Sequence, residues 1–397
     1  MSLTQKKSKF KLAAFGFCAI IPPSAMNQRL VTAVVICLIP ALIFGGCAHH
    51  RFEKIRFPAS DTSSAQSSYQ TPPLSGPVKR HLIKRSRHFS VQEVVLPAGP
   101  LAIDRAPVGL EVYLPKGEGP FPLVLISPIL GGKYRIEQSL ADFLVKHGFA
   151  AVIVHHKPLR LLPDEGLQQF EDYLRASVIR LRRALDWAQT QKEIDKEKIG
   201  TLGISLGGIL NVVLAGVDKR VKVHVVAMAG GNLADVVCYT HEKAVKRYRN
   251  QFMKRQGLTL DELRTQLRAT VVTDPMSYAH EVGTDNVLLF VAWFDMIIGR
   301  KYSKKLAKAL GNPETYYFPL GHYSSLLTIP FVRVRALRFF EKRFKTTPQS
   351  ENARNWSWRQ APPLPRKIPR ILDRHTRRPE DYWKRPLLAQ LAGRSGG

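Results

Sequence analysis

A serine between two glycines is the first residue in this sequence whose setting suggests chemistry. Residues 203–207 read GISLG, with an apolar run before them and another after them. A G-x-S-x-G pattern between a strand and a helix is typical of a sharp turn that exposes the serine hydroxyl as a nucleophile. Glycine is needed on both sides because side chains there would collide. A tight glycine turn with a capping serine is the alternative interpretation of Ser205.

A nucleophilic serine needs a base to take its proton and an acid to orient that base. After a strand–turn–helix serine, the expected order along the chain is Asp or Glu and then His. Asp295 follows the apolar run VLLFVAWF and His322 follows FPLG, so both come just after predicted strands. A helix N-cap role for Asp295 and a surface-loop position for His322 are the alternatives. Asp235, in GGNLADVV, is the reserve candidate for the acid.

Acyl transfer also needs hydrogen-bond donors for the oxygen that becomes negative in the transition state. The backbone N–H of Leu206, directly after the serine, is the first predicted donor. The second is expected in the loop SPILGGKYR, which follows the apolar run at 121–127. Glycines 131 and 132 would let this loop approach closely. Ile129 and Leu130 are both candidates, and Leu130 is preferred.

The apolar runs predict the elements that must position these residues. Strands are expected at 91–96, 110–114, 121–127, 149–156, 198–204, 221–228, 286–293 and 314–319, and helices at 136–146, 167–191, 206–216 and 330–344. Short apolar strands that alternate with helices predict an α/β fold with a mostly parallel sheet covered on both faces. Ligands bind at the carboxyl ends of such strands. The segment 232–285 interrupts the alternation and is predicted to be a helical cap inserted over those ends.

Over roughly residues 90–345, these motifs resemble the α/β-hydrolase superfamily. The stretch SPILGGKYRIEQSLADFLVKHGFAAVIV is similar in its spacing to the dienelactone-hydrolase and cutinase-like serine esterases. The resemblance implies hydrolysis of an ester or related acyl substrate without a metal or an organic cofactor. It also implies Ser205 as the nucleophile, His322 as the general base and Asp295 as its orienting acid.

The sequence departs from that family pattern in two places. His155, His156 and Lys157 stand where relatives commonly have an acidic residue, and the 232–285 segment has no obvious counterpart in minimal cutinases. We do not expect the adjacent histidines to bind a metal, because neighbouring side chains on an extended segment point to opposite sides.

The N-terminal region predicts export. Residues 26–47 read MNQRLVTAVVICLIPALIFGGC, with one arginine, a short apolar stretch and two glycines before Cys47. This ending resembles the lipobox of bacterial lipoproteins and implies a lipid on Cys47 and a location at the periplasmic side of the outer membrane. An uncleaved anchor or an ordinary signal peptide is the alternative, and Met26 is a possible start in place of Met1. We therefore interpret 1–46 as a signal segment and 47–90 as a lipidated, flexible tether before a hydrolase domain at 91–345.

The charge of the chain is strongly unbalanced. The 397 residues contain 60 Lys and Arg against 31 Asp and Glu, for a formal net charge of +29. Such a charge favours anionic partners, and for an exported protein these are membrane lipids rather than nucleic acid. Residues 346–397 are rich in Pro, Arg and Trp and predict an extended basic tail. If the signal segment is removed, Cys238 is the one free thiol, so no internal disulfide is expected.

Two functions of different classes agree with these patterns. The first is an envelope-anchored serine hydrolase, or an acyltransferase with the same machinery, that acts on an ester or lipid-like substrate. The second is a catalytically silent lipoprotein that keeps the fold and binds anionic components of the envelope. The presence of all three triad residue types in the expected order favours the first. The sequence does not determine the oligomeric state.

Overall fold

The computed structural model of the protein describes residues 48–50, 68–100, 103, 105–131, 134–157, 159 and 161–345. The predicted signal segment, Cys47 and the basic tail at 346–397 lie outside the described residues. In the part of the chain that is described, no helix has both the length and the apolar character needed to cross a membrane.

The described residues form a sheet of ten strands. The strands are β1 (Ala48–His50), β2 (Lys79–Arg85), β3 (Phe89–Leu96), β4 (Val108–Pro115), β5 (Phe121–Ser127), β6 (Ala150–Val154), β7 (Ile194–Ile204), β8 (Val223–Ala227), β9 (Val287–Ala292) and β10 (Glu314–Phe318). Their order across the sheet is β1-β10-β9-β8-β7-β5-β6-β4-β3-β2. From β10 to β6 neighbouring strands are parallel. The pairings of β1, β4, β3 and β2 are antiparallel.

Helices cover both faces of the parallel part of this sheet. They are α1 (Arg135–Val145), α2 (Gln168–Gln189), α3 (Leu206–Val217), α4 (Leu233–Tyr239), α5 (Lys243–Gln256), α6 (Leu260–Thr270), α7 (Pro275–Tyr278), α8 (Arg300–Ala309) and α9 (Ile329–Phe344). Leu123 and Leu125 of β5 pack in one apolar cluster with α2 and α3. Alternate residues of β5 face the other side, where Phe340 of α9 packs against Phe149 before β6. The predicted α/β fold class is confirmed.

The strand order reverses beside β5. After β5 the chain adds β6 on one side, and then crosses to add β7 on the other side. In open α/β sheets such a reversal leaves a crevice at the carboxyl ends of the strands, because the loops after the two neighbouring strands diverge. The loops that follow β5 and β7 lie on the two sides of this crevice. They carry the predicted oxyanion donors and Ser205.

The segment 232–285, predicted to be helical, contains four helices, α4–α7. Helix α6 begins with a capping box between Thr259 and Glu262. The segment is tied to the body by hydrogen bonds: the Tyr248 hydroxyl donates to the Gly166 carbonyl at 3.1 Å, and the Thr273 hydroxyl donates to Glu171 at 2.7 Å. These contacts hold the inserted helices on the main domain.

The predicted tether boundary near Val91 is too late in the chain. Residues 79–85 form β2, and Tyr69 is only 1% exposed, with its hydroxyl 2.8 Å from that of Thr273 and 3.1 Å from that of Tyr278. Every residue of β2 is exposed, so the strand has no apolar alternation for a sequence pattern to detect. The Ser, Pro and Gln residues around Tyr69 form no pattern that predicts burial. Tyr69 is buried through contacts with residues about two hundred positions away in the chain. Strand β1 also lies within the predicted tether, and α8 was not predicted.

Candidate active site

Ser205 occupies a strained turn between β7 and α3. Strand β7 ends at Ile204 and α3 begins at Leu206, so the serine alone makes the turn. Its dihedrals are φ 56° and ψ −119°, a region that residues with a side chain rarely adopt. The Ser205 N–H donates to the Ala227 carbonyl at 2.8 Å, which ties the turn to the neighbouring strand β8. Strain of this kind persists where surrounding contacts impose it, and it is common at functional sites.

Gly203 and Gly207, which flank Ser205 at two positions' distance, have no room for a side chain. A Cβ on Gly203 would lie 2.3 Å from the Gly207 carbonyl oxygen, and a Cβ on Gly207 would lie 2.1 Å from the Ser127 carbonyl oxygen. Both distances are shorter than atoms tolerate, and both involve backbone that cannot rotate away. The second also means that the first turn of α3 packs directly against the end of β5. The loop after β5 therefore starts beside the nucleophile turn.

The structure brings the three predicted triad side chains together in hydrogen-bonding order. His322 Nε2 lies 2.9 Å from Ser205 Oγ, and His322 Nδ1 lies 2.8 Å from Asp295 Oδ2. Ser205 is half-buried, and the other two residues are at most 9% exposed. Asp295 and His322 follow β9 and β10, adjacent strands of the sheet, and this adjacency places the two side chains within reach of each other.

Asp295 uses each of its carboxylate oxygens differently. Oδ2 accepts from the imidazole, while Oδ1 accepts from the backbone N–H groups of Ile297 and Ile298 at 2.8 and 2.9 Å. The sequence left an N-capping role open for Asp295. The structure combines both interpretations, although the capped segment is a turn, and α8 begins only at Arg300. Because the turn fixes the carboxylate, the orientation of the imidazole is fixed as well.

Asp235, the reserve candidate, is not the partner of His322. It lies in the first turn of α4 and is 4% exposed, and its carboxylate accepts hydrogen bonds from Arg264 at 2.7 and 3.1 Å and from Arg268 at 3.0 Å. The hydrogen bonds from Arg264 hold the pKa of Asp235 below its usual range. Asp235 therefore joins α4 to α6 within the inserted helices.

Both predicted oxyanion donors lie at the crevice. The Leu206 N–H belongs to the first turn of α3, where N–H groups have no acceptor within the helix. Ile129 and Leu130 lie in the loop after β5, and the Ile129 N–H donates to Glu137 Oε1 at 2.8 Å. Among the described atoms no acceptor is found for the Leu130 N–H. The preference for Leu130 over Ile129 as the second donor thus agrees with the hydrogen bonding.

Gly131 has a different role from the one predicted. Nothing lies within 4 Å of the position that its Cβ would take, so the residue is not needed for close approach. Its φ of +120° is instead accessible to glycine and unfavourable for other residues. Gly132 lies outside the described residues.

Glu137 and His156 are two buried polar residues beside the site for which the sequence predicted no function. Glu137 lies in the first turn of α1 and is 2% exposed, and His156 follows β6 and is 6% exposed. Burial is the main cause that raises the pKa of Glu137 and lowers the pKa of His156. The only sequence signal was that His156 stands where relatives commonly have an acid. No cluster of potential metal ligands occurs in the described part of the chain.

Large apolar side chains next to two of the predicted triad residues are exposed. Phe294, Met296 and Tyr323 are 60–62% exposed, and they are the chain neighbours of Asp295 and His322. The Tyr323 hydroxyl donates to Glu242 at the start of α5. Arg300 lies over the ring of Trp293, 4.3 Å from its centroid. The immediate chain neighbours of Asp295 and His322 are therefore largely apolar and exposed.

Known proteins match this chain over part of its length. The family model for X-Pro dipeptidyl-peptidase (S15 family) matches residues 104–281. Acyl-coenzyme A thioesterase 1 of Rattus norvegicus is 27% identical over 231 residues, which is 53% of this chain and 51% of that protein. Acyl-coenzyme A thioesterase 2, mitochondrial, of the same species is 28% identical over 229 residues, 53% of this chain and 47% of that protein. The chain thus spans about half the length of these relatives.

Solved structures match more of the chain at lower identity. Acetyl xylan esterase from Paenibacillus sp. R4 superimposes with a TM-score of 0.58 at 19% identity, covering 73% of this chain and 97% of that one. Acetyl xylan esterase 1 from Thermoanaerobacterium sp. JW/SL YS485 gives a TM-score of 0.53 at 15% identity, covering 72% and 96%. The protein has the α/β-hydrolase fold. The predicted fold is thus confirmed, with Ser205 in the turn between β7 and α3 and Leu130 in the loop after β5.

Proposed function

We propose that the protein is a serine hydrolase that cleaves a carboxylic ester or a related acyl substrate through an acyl-enzyme on Ser205. One observation carries the proposal: the imidazole of His322 lies within hydrogen-bond distance of both the Ser205 hydroxyl and the Asp295 carboxylate. A serine in a strained turn, a base and an orienting acid together form the arrangement that activates a hydroxyl. A structural role for the three residues would not require this order.

In the proposed mechanism, His322 Nε2 takes the proton of the Ser205 hydroxyl as Oγ bonds to the acyl carbon. The carbonyl electron pair moves onto oxygen, and the N–H groups of Leu206 and Leu130 stabilise the resulting oxyanion. The intermediate collapses to the acyl-enzyme, and the leaving alcohol takes the proton from the imidazole. Water then attacks the acyl group, gives its proton to His322 and releases the acid, and the proton returns to Ser205.

The exposed side chains beside the triad support a proposal for the substrate class. The exposed rings of Phe294 and Tyr323 and the side chain of Met296 offer apolar contact to an acyl chain or an aromatic alcohol. The proteins similar to this chain include acetyl xylan esterases and acyl-coenzyme A thioesterases, names that describe the removal of an acyl group from oxygen or sulfur. The proposed mechanism uses groups of the chain itself and calls for no cofactor. Transfer of the acyl group to an alcohol in place of water would use the same steps.

A fluorophosphonate probe and short p-nitrophenyl esters test the proposal. We expect the full chain to hydrolyse the esters and to become labelled at Ser205 by mass spectrometry. Ser205→Ala should lower kcat by about a thousandfold or more, because the nucleophile is lost. Ser139→Ala, which changes an exposed serine of α1, is the matched control and should leave kcat unchanged. If the folded wild-type protein neither hydrolyses the esters nor reacts with the fluorophosphonate, the proposal is contradicted. That result would favour the alternative, a catalytically silent protein that binds anionic envelope components.

We also propose that the protein is anchored in the bacterial cell envelope through a lipid on Cys47, at the periplasmic face of the outer membrane. The supporting observations are the signal-like stretch before Cys47 and the net charge of +29, which favours anionic lipid. Metabolic labelling with a palmitate analogue should mark the wild-type protein and fail with Cys47→Ala. Label that persists in Cys47→Ala, or a wild-type protein recovered without label, would contradict the anchoring. Cys238→Ala is the matched control, since Cys238 is buried.

A further inference from the structure

We propose that Glu137 and His156 are positioning residues that clamp the backbone of Ile129 and thereby aim the Leu130 N–H at the oxyanion. The inference rests on the proposed function, and it assigns a role to two residues that take no direct part in the chemistry. It concerns how the second donor is held in place.

The first half of the clamp is the Glu137 carboxylate. Its Oε1 accepts from the Ile129 N–H at 2.8 Å, across eight residues of chain. Glu137 occupies the first turn of α1, where the helix dipole favours negative charge. This contact is not a capping box, because the carboxylate reaches the loop after β5 rather than the N-cap Tyr134. Its other oxygen, Oε2, has no hydrogen-bond partner in the described part of the chain. A carboxyl group buried with one oxygen unused is costly, so packing alone does not explain it.

The second half is the imidazole of His156. Its Nε2 lies 3.0 Å from the Ile129 carbonyl oxygen. The Tyr173 hydroxyl lies 3.2 Å from Nδ1 and can donate to it, which leaves the ring proton on Nε2, facing Ile129. The Lys157 carbonyl oxygen also lies 2.7 Å from Nδ1, so a second proton on the ring would find an acceptor as well. A neutral ring with its proton on Nδ1 would instead donate to the Lys157 carbonyl and leave Nε2 without a proton, so the clamp requires that Nε2 carries one.

Both contacts act on the peptide groups next to the proposed donor. The Ile129 carbonyl and the Leu130 N–H belong to the same peptide unit, which is planar and trans, so the two bonds point in opposite directions. Holding the carbonyl oxygen against His156 therefore sets the direction of the Leu130 N–H. A hydrogen bond to the carbonyl also polarises the peptide and strengthens its N–H as a donor.

The start of the same loop is fixed to the nucleophile helix. The Ser127 hydroxyl donates to Asn211 of α3 at 2.5 Å, and Gly207 of α3 packs against the Ser127 carbonyl. The loop thus has one attachment to the helix that carries Ser205 and two attachments to buried ionisable side chains. Electrostatic stabilisation of an oxyanion requires donors that are already aimed before the reaction. These attachments supply that rigidity.

Steady-state kinetics of His156 variants test the clamp. With a short p-nitrophenyl ester, His156→Phe should lower kcat by about 10- to 100-fold and change KM by less than about twofold, because the donor acts mainly on the transition state. His156→Gln, which restores an N–H donor, should recover part of that loss. His147→Phe is the matched control, since His147 also bonds a backbone carbonyl, that of Phe143 at 2.7 Å, but lies at the other end of α1. It should leave kcat unchanged.

Glu137 variants test the other contact. Glu137→Gln keeps a carbonyl oxygen that can accept from the Ile129 N–H, and Glu137→Leu removes the acceptor at similar volume. We expect kcat to fall by about tenfold or more in Glu137→Leu and to be largely recovered in Glu137→Gln. A purely structural role would lower the thermal midpoint with no difference in kcat per folded molecule. That result, or equal kcat in His156→Phe and wild type, would overturn the clamp.

Hydrogen exchange separates the clamp from the proposed function. In the full chain, His156→Phe and Glu137→Leu should increase exchange of the amides of residues 129–131, even in a Ser205→Ala background that has no activity. Unchanged exchange there would overturn the clamp whatever the kinetics. A wild-type protein that is inert to esters and to the fluorophosphonate would instead contradict the proposed function, and the exchange result would still decide the clamp.

Discussion

Asp295 and Asp235 are two buried carboxylates that the sequence presents in nearly the same way. Each follows an apolar strand, and each is 4% exposed. Their partners differ: Asp295 bonds to the His322 imidazole and two backbone N–H groups, and Asp235 bonds to the guanidinium groups of Arg264 and Arg268. Arginine stays charged at every accessible pH. Asp235 therefore has permanently charged partners that neither take up nor release a proton. The two acids therefore differ in their partners, and only Asp295 has the imidazole partner that the proposed function requires.

The largest expected effect is on catalysis at Asp295. Asp295→Asn should lower kcat by about 10³- to 10⁴-fold, because an amide can no longer hold the imidazole in the required tautomer. The thermal midpoint should change little, since the side-chain oxygen still accepts from the backbone of Ile297 and Ile298. Ester hydrolysis and thermal unfolding of the same preparation give both quantities. If Asp235→Asn abolished activity while Asp295→Asn kept it, the assignment of the two acids would be reversed.

The smaller effect is on stability at Asp235. Asp235→Asn should lower the free energy of unfolding by about 1–3 kcal/mol, because two arginine side chains lose a charged acceptor. The value of kcat per folded molecule should fall far less than in Asp295→Asn. Urea unfolding at neutral pH measures the change. Asp142→Asn is the control, since Asp142 forms an exposed pair with Lys146 at 2.6 Å and such pairs contribute little.

At low pH, the wild type and Asp235→Asn should have the same free energy of unfolding. Because Arg264 lowers the pKa of Asp235 in the folded state, the unfolded chain binds the proton first as the pH falls. The stabilisation is therefore complete above the unfolded pKa, near 3.9, and is lost as the pH falls through the lower folded value. Urea unfolding across this range should show the two proteins converging in acid. A difference that is independent of pH would mean that the ion pair is not its source.

Some of this site was accessible from local pattern alone. The glycines around Ser205 mark a strand–turn–helix junction, and the order of Ser205, Asp295 and His322 along the chain matches the expected order at strand ends. These signals lie within a few residues of each functional group. The strands and helices of the central sheet were predicted for the same reason, since buried strands and amphipathic helices have short repeating patterns.

Other features depended on contacts between distant segments. Such contacts decide which residue bonds to His322, whether the Leu130 N–H has an acceptor and why Tyr69 is buried. Glu137 is a further case, because a glutamate in the first turn of a helix is ordinary in sequence, and only the packing of α1 against the loop after β5 turns it inward.

Local sequence patterns were enough to predict the α/β class, the glycine-flanked turn at Ser205 and the chain order of Ser, Asp and His. The steric demands of a tight turn and the periodicity of buried strands both lie in neighbouring positions. Only the packing of the whole chain showed which carboxylate hydrogen-bonds to His322 and which N–H of the loop after β5 has no acceptor among the described residues. The first depends on the adjacency of β9 and β10 and the second on the packing of α1 against the loop after β5. Such neighbours are set by how the whole chain packs and not by their distance along it.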